Sequence, residues 1–128
     1  MKLKPEYIRT IMLTLEKELT VNSDLSFKDL CVSDISKFLP KIPREDVFYT
    51  LCKLEEAGYI CFSVEYSGGR PINDFVSFIT YDGHVFLDTI RNDNVWSKTL
   101  KALSSIGATA PALIKDIAAK YLMIQLGL

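Results

Sequence analysis

The sequence predicts an α+β fold in which helices precede one β-hairpin and additional helices follow it. Three observations carry this. In residues 47–60 (VFYTLCKLEEAGYI), Val47, Leu51 and Leu54 recur at i, i+4 and i+7, with Phe48 and Cys52 beside them, so one helix face is apolar. Gly58 then ends the helix at the position where a positive φ is needed. Directly afterwards the period falls from 3.6 to 2, and Gly68-Gly69 separates two apolar runs, a hairpin signal.

The elements follow in order. Pro5 suits the first turn of a helix, and Tyr7, Ile8, Ile11, Met12 and Leu15 continue it at helical spacing to about Leu19. Its exposed side would carry Lys4, Arg9, Glu16, Lys17 and Glu18. Asn22 to Asp24 break the pattern, and residues 25–27 fit a short edge strand. Ser33 is a suitable N-cap for a second helix over 34–39, which Pro40 ends. Pro43 opens the third helix, with Glu45 and Asp46 placed to favour its N-terminal dipole. In the hairpin, Ile60, Phe62, Val64 and Tyr66 share one face. The return strand over 72–79 is too densely apolar for strict alternation, as in a strand partly buried on both faces. Thr80 reads as the N-cap of a fourth helix that turns Val85, Phe86, Leu87 and Ile90 inward. Asn92 to Asn94 break it. Trp96 opens a fifth helix with Leu100, Leu103 and Ile106, and a last helix follows Pro111. A third helix running straight into a hairpin, with two helices before it, is the layout of a winged helix. The organisation is therefore a winged-helix domain over residues 1–95 and a helical extension over 96–128.

Composition narrows the function. The 128 residues suffice for one core, and 48% hydrophobic residues is ordinary for a globular chain. No apolar run approaches a membrane span, and the start, with Lys2, Lys4 and Pro5, is unlike a secretory leader. The cysteines Cys31, Cys52 and Cys61 are odd in number and lack metal-binding spacing, and there is one histidine. Reduced thiols in a cytoplasmic protein without metal or cofactor is the reading that follows. Charge is split along the chain. Residues 1–95 hold 11 Lys/Arg against 15 Asp/Glu, a net of −4, while residues 96–128 hold 4 lysines against Asp116, a net of +3. An acidic body repels a nucleic-acid backbone at long range, so DNA binding would need a local basic patch.

Two motifs carry a resemblance. Tyr49-x-Leu51-x-x-Leu54-Glu55-Glu56-Ala57-Gly58-Tyr59-Ile60, then a hairpin, then Ile79-Thr80-x-x-Gly83-x-x-Phe86-Leu87, resembles the winged helix of small bacterial regulators of the PadR and MarR type. The whole chain is more similar to an uncharacterised family of short winged-helix proteins from bacterial prophages and mobile elements. That likeness runs from Lys2-Leu3-x-Pro5 through Gly83-His84 and Phe86-Leu87-Asp88-x-Ile90-Arg91 to Val95-Trp96. It implies a fold and a setting, and no activity.

If the third helix reads DNA, its apolar face leaves Arg44, Tyr49, Thr50 and Lys53 as the groove contacts, with Arg70 from the wing on the backbone side. Against this, residues 44–57 carry two basic and four acidic side chains. No enzyme signature is present. His84 has no nucleophile motif around it, Asp82 and Asp88 form no evident acid–base pair, and Gly68-Gly69 precedes a strand, unlike a phosphate loop.

Trp96 has the area to anchor the fifth helix. In the last helix Leu113, Ile114, Ile117, Tyr121 and Ile124 form an apolar stripe that needs a partner: the body itself, a second copy, another protein or a lipid surface. The four lysines are not clustered as in polybasic membrane binders. Two functions are thus expected. One is a homodimeric DNA-binding regulator or accessory factor on double-stranded DNA. The other is a protein-interaction module without DNA affinity.

Overall fold

A computed structural model describes residues 1–128 as an α+β chain of six helices and two small antiparallel sheets. Helix α1 (Pro5–Glu18) starts with Pro5 in its first turn and buries Ile8, Ile11, Met12 and Leu15. Strands β1 (Thr20–Val21) and β2 (Phe27–Lys28) then pair. The edge strand expected at residues 25–27 is therefore displaced: Leu25 sits in the loop at φ 71°, and a first strand precedes it.

Helix α2 (Val32–Phe38) begins one residue after Cys31, not after Ser33. Two acceptors fix this start: Asp34 accepts from the Cys31 N–H at 3.4 Å within the first turn, and Asp74 from a distant strand accepts from the Val32 N–H at 2.6 Å. Helix α3 (Arg44–Glu56) follows Pro43 and turns Val47, Leu51 and Leu54 inward. Gly58 at φ 82° closes it, with the Tyr59 N–H on the Leu54 carbonyl and the Gly58 N–H on the Glu55 carbonyl. This pair of bonds is the Schellman arrangement, and it delivers the chain directly into β3.

Strands β3 (Ile60–Ser67) and β4 (Arg70–Ile79) pair antiparallel, from Ile60 opposite Ile79 to Ser67 opposite Arg70. The register skips Ser77 and Ile72, so the extra residues lie on β4 and β3 keeps its two-residue alternation. Tyr66, expected to share a face with Ile60 and Phe62, is exposed near the hairpin tip, while Ile60, Phe62 and Val76 are buried. Reciprocal backbone bonds between Leu30 and Val76 stitch the segment after β2 to β4.

Thr80 caps α4 (Tyr81–Ile90), its hydroxyl accepting from the Gly83 N–H at 3.0 Å. Helix α5 (Asp93–Ile106) begins three residues earlier than Trp96, because Asn92 is not a break but its cap, accepting from Val95 N–H at 3.0 Å. Helix α6 (Pro111–Gln125) completes the order. A single cluster of buried apolar side chains runs from Ile8 to Ala118 and includes Trp96, Leu103 and Ile114 of the C-terminal helices. No helix is long and apolar enough to cross a membrane.

Candidate nucleic-acid interface

The outward side of α3 and the hairpin β3–β4 form one unit. The Phe62 N–H donates to Glu55 Oε2 at 2.7 Å, and the rings of Phe48 and Phe62 meet edge to face at 6.0 Å. Both contacts tie the helix to the base of the hairpin, near the start of its first strand.

The five sequence-predicted contacts behave differently. Arg44 is exposed in the first turn, and Arg70 is exposed just after the Gly68-Gly69 tip. Tyr49 is half-buried, with Lys53 Nζ 5.4 Å from its ring centroid. Lys53 is not free: its ammonium lies 2.8 Å from Glu56 Oε2, and that hydrogen bond holds its pKa above the ordinary lysine value. Thr50 is a correction. It is 2% exposed, and its hydroxyl donates to the Asp46 carbonyl at 2.6 Å. With its hydroxyl satisfied inside the helix, Thr50 joins Val47, Leu51 and Leu54 on the core face and cannot reach a groove.

The structure adds cations that the helical pattern of the sequence does not mark. Lys28 and Lys37, 9 residues apart, line one shallow cavity of 260 Å³ with Asp34 and Phe38, and Lys41 is exposed in the turn before α3. The ion pairs of this chain engage only Arg9, Lys53 and Arg91, so Lys41, Arg44 and Arg70 have no ion-pair partner, whereas Lys28 and Lys37 lie close enough to Asp34 to add to the Cys31 hydrogen bonds that hold its carboxyl below the ordinary range. Among the acids of this region, Glu55, Glu56 and Asp34 are engaged in hydrogen bonds or an ion pair. The Lys53–Glu56 pair cancels one charge of each sign and the bond from the Phe62 N–H cancels none, so the net of −2 over residues 44–57 is unchanged.

The remaining candidates fall outside this unit. Trp96 is buried, and the Arg9 guanidinium lies 5.4 Å from its ring. Leu113 and Ile124 are exposed, whereas Ile117 and Tyr121 are half-buried. Pro111, Ile114 and Ala118 seat α6 on its own chain, and Ile117, Tyr121 and Leu122 also pack against that core. Arg9, expected on the exposed side of α1, instead binds the end of α4. His84 is exposed beside an apolar cavity of 280 Å³ lined by Leu15, Leu19, Phe27 and Phe78. The three cysteines are free and half-buried, and burial pushes the Cys52 thiol up, away from thiolate chemistry. No group of histidine, cysteine and carboxylate side chains is placed to hold a metal ion.

The family model described as "Hypothetical protein (DUF2513)" matches residues 2–109, a span that takes in every element from α1 to α5. An "Uncharacterized protein" of Haemophilus influenzae is 29% identical over 105 residues, covering 82% of this chain and 80% of that protein. No solved structure matches the chain.

Proposed function

The chain belongs to the DUF2513 family, and we propose that it is a winged-helix DNA-binding protein, a transcriptional regulator or accessory factor of a prophage or mobile element. In this reading α3 enters the major groove and the β3–β4 hairpin is the wing. One observation carries it: α3 runs through a single tight turn into a hairpin pinned to it by Glu55 and Phe48, with Arg44 and Arg70 exposed and unpaired at the two ends of that unit. Lys41, exposed in the turn before α3, supplies further charge for phosphates. Resemblance to PadR- and MarR-type regulators supports the same assignment.

Fluorescence anisotropy of labelled duplexes from the protein's own upstream region, titrated at two salt concentrations, tests this. Saturable binding that weakens steeply with salt is expected. Arg44→Glu and Arg70→Glu should each weaken it and lower the salt slope by about one counterion. A second reading, a protein-interaction module, is favoured by the Lys53–Glu56 pair, which removes the central cation of α3. A folded protein with no binding at low salt would overturn the DNA reading for these duplexes and turn the search to protein partners.

A further inference from the structure

We infer that the cleft between the start of α1 and the turn from α2 to α3 is a binding site for a free guanine mononucleotide, with the base inside and the phosphate at the rim. The inference does not depend on the DNA-binding reading.

The cleft has a volume of 320 Å³, and its two walls come from distant parts of the chain, one from α1 with Glu6 and Tyr7 and one from residues 38–42. That volume lies at the lower end of the roughly 300–1,000 Å³ that ligand sites occupy, so it admits a flat ring system and leaves the rest of a nucleotide outside. Phe38 supplies a ring for stacking. It is 46% exposed, stands outside the buried core cluster and meets no other aromatic side chain. On the other wall Tyr7 is half-buried, and Lys4 Nζ lies 4.9 Å from its ring centroid.

Charge selects the ligand. Glu6 lines the cleft and has no ion-pair partner within the chain. Glu16, beside the cavity at His84, is by contrast already held by Arg91. An ionised carboxylate accepts hydrogen bonds and donates none. Guanine presents two adjacent donors on one edge, its N1–H and its N2 amino group, which match the two carboxylate oxygens. Adenine sets a ring acceptor beside its one amino group, and that acceptor would face a carboxylate lone pair. Lys4, seated over the Tyr7 ring, and Lys41, in the turn, are exposed cations from the two walls, and no ion pair engages either. A phosphate at the rim gains charge-assisted contacts from both. An open aromatic ring, an unpaired carboxylate and two unpaired ammonium groups around one small cleft complement a base that carries a phosphate.

Titration of the isotope-labelled full chain with guanosine monophosphate (GMP), adenosine monophosphate (AMP), guanosine and inorganic phosphate, each to about 5 mM and followed by amide shifts in NMR, provides the test. GMP should saturate, with shifts centred on residues 6–10 and 38–42, and should bind at least about fivefold more tightly than the other three. Phe38→Ala, at an exposed position, should weaken GMP about fivefold or more through loss of the stacking ring, with Tm unchanged. Glu6→Gln should remove the preference for GMP over AMP. Failure of GMP to saturate overturns the inference, as does equal affinity for GMP and AMP. Saturation with shifts confined to another surface, or a folded Phe38→Ala variant that binds GMP as the wild type does, also overturns it, because the ligand would then sit elsewhere.

Discussion

The Nε–H of Arg9 donates to the carbonyl oxygen of Ile90 at 2.8 Å, across 81 residues of chain. Its Nη2 donates to the Arg91 carbonyl at 3.0 Å and to Asp93 Oδ1 at 2.8 Å. Helix α4 ends there without a left-handed residue, so a side chain from α1 satisfies its terminal carbonyls and complements the negative end of its dipole. Asp93 is almost fully exposed, so the carbonyl bonds dominate the energetics. Arg9→Met should lower unfolding free energy by about 1.5–3 kcal/mol in urea denaturation, the range for hydrogen bonds to a charged group. Arg9→Lys should recover only part of it, because an ammonium cannot fork between two carbonyls and stack on Trp96.

Glu16 joins α1 to the same corner through its hydrogen-bonded ion pair with Arg91, which also reaches Asp88 at 3.4 Å. The Arg91 hydrogen bond holds the Glu16 carboxyl below the ordinary glutamate value of 4.5, with the nearby His84 adding to the effect. A carboxyl depressed by folding stabilises fully above its unfolded pKa and loses that contribution as pH falls through the lowered folded value. The pair is substantially exposed, so its worth is below about 1 kcal/mol and weakens with salt. Glu16→Gln should therefore have a lower Tm than wild type at pH 7 in low salt. The gap should close as pH falls below 4.5 through the lowered folded value, and a gap that persists once the carboxyl is protonated would argue against the ion pair as its cause.

Gly83 lies against backbone. A Cβ built on it would stand 2.1 Å from the Tyr59 carbonyl oxygen and 2.7 Å from Ile79 Cγ2. That carbonyl is itself held by the Thr80 N–H at 3.1 Å, so it cannot move aside without breaking the entry to α4. Gly83→Ala should cost about 3 kcal/mol or more in thermal or urea unfolding. Gly58→Ala has nothing within 4 Å and meets only the φ of 82°, so about 1–2 kcal/mol is expected. The order of the two variants distinguishes crowding from backbone strain.

What the sequence revealed of this fold was what local chemistry encodes. Pro5, Gly58, Gly68-Gly69 and Thr80 act on their own neighbours, and the elements they bound lie where their spacing places them. The departures have tertiary causes. Asp74 helps fix the start of α2 from 42 residues away, and a two-residue strand such as β1 has no periodicity to read. Arg9 was hidden because its partners are mostly backbone carbonyls, which every residue carries. At the candidate interface, Arg44 and Arg70 were legible as exposed cations. The inward turn of Thr50 was not, since a threonine that satisfies its own hydroxyl resembles a polar surface residue in sequence.

That inward turn separates two substitutions on neighbouring turns of one helix. Thr50→Val keeps the buried shape and removes a hydroxyl bonded only to its own helix, so stability should change by less than about 1 kcal/mol. In the anisotropy titration Thr50→Val should leave affinity within about twofold, whereas Arg44→Glu should reduce it several-fold and flatten its salt dependence. Equal losses from both would mean that α3 acts through its packing rather than by direct contact.

Leu25 holds a different kind of strain. It occupies the left-handed region at φ 71° and is 82% exposed, so its side chain returns little packing for a conformation that costs leucine about 1–2 kcal/mol. Around it, Leu25 N–H bonds to the Asn22 carbonyl, and Asp24 accepts from both the backbone and the hydroxyl of Ser26, which fixes the loop. Leu25→Asn should raise stability by about 0.5–1 kcal/mol, since asparagine tolerates this conformation without adding much freedom to the unfolded chain. Leu25→Gly should gain less, because glycine relieves the strain but gives the unfolded state more entropy. Leu25→Val should lose stability, as a β-branched side chain is least compatible with positive φ. Urea unfolding of the three variants reads the order Asn, Gly, wild type, Val. A valine variant as stable as leucine would show that this backbone is not left-handed in solution.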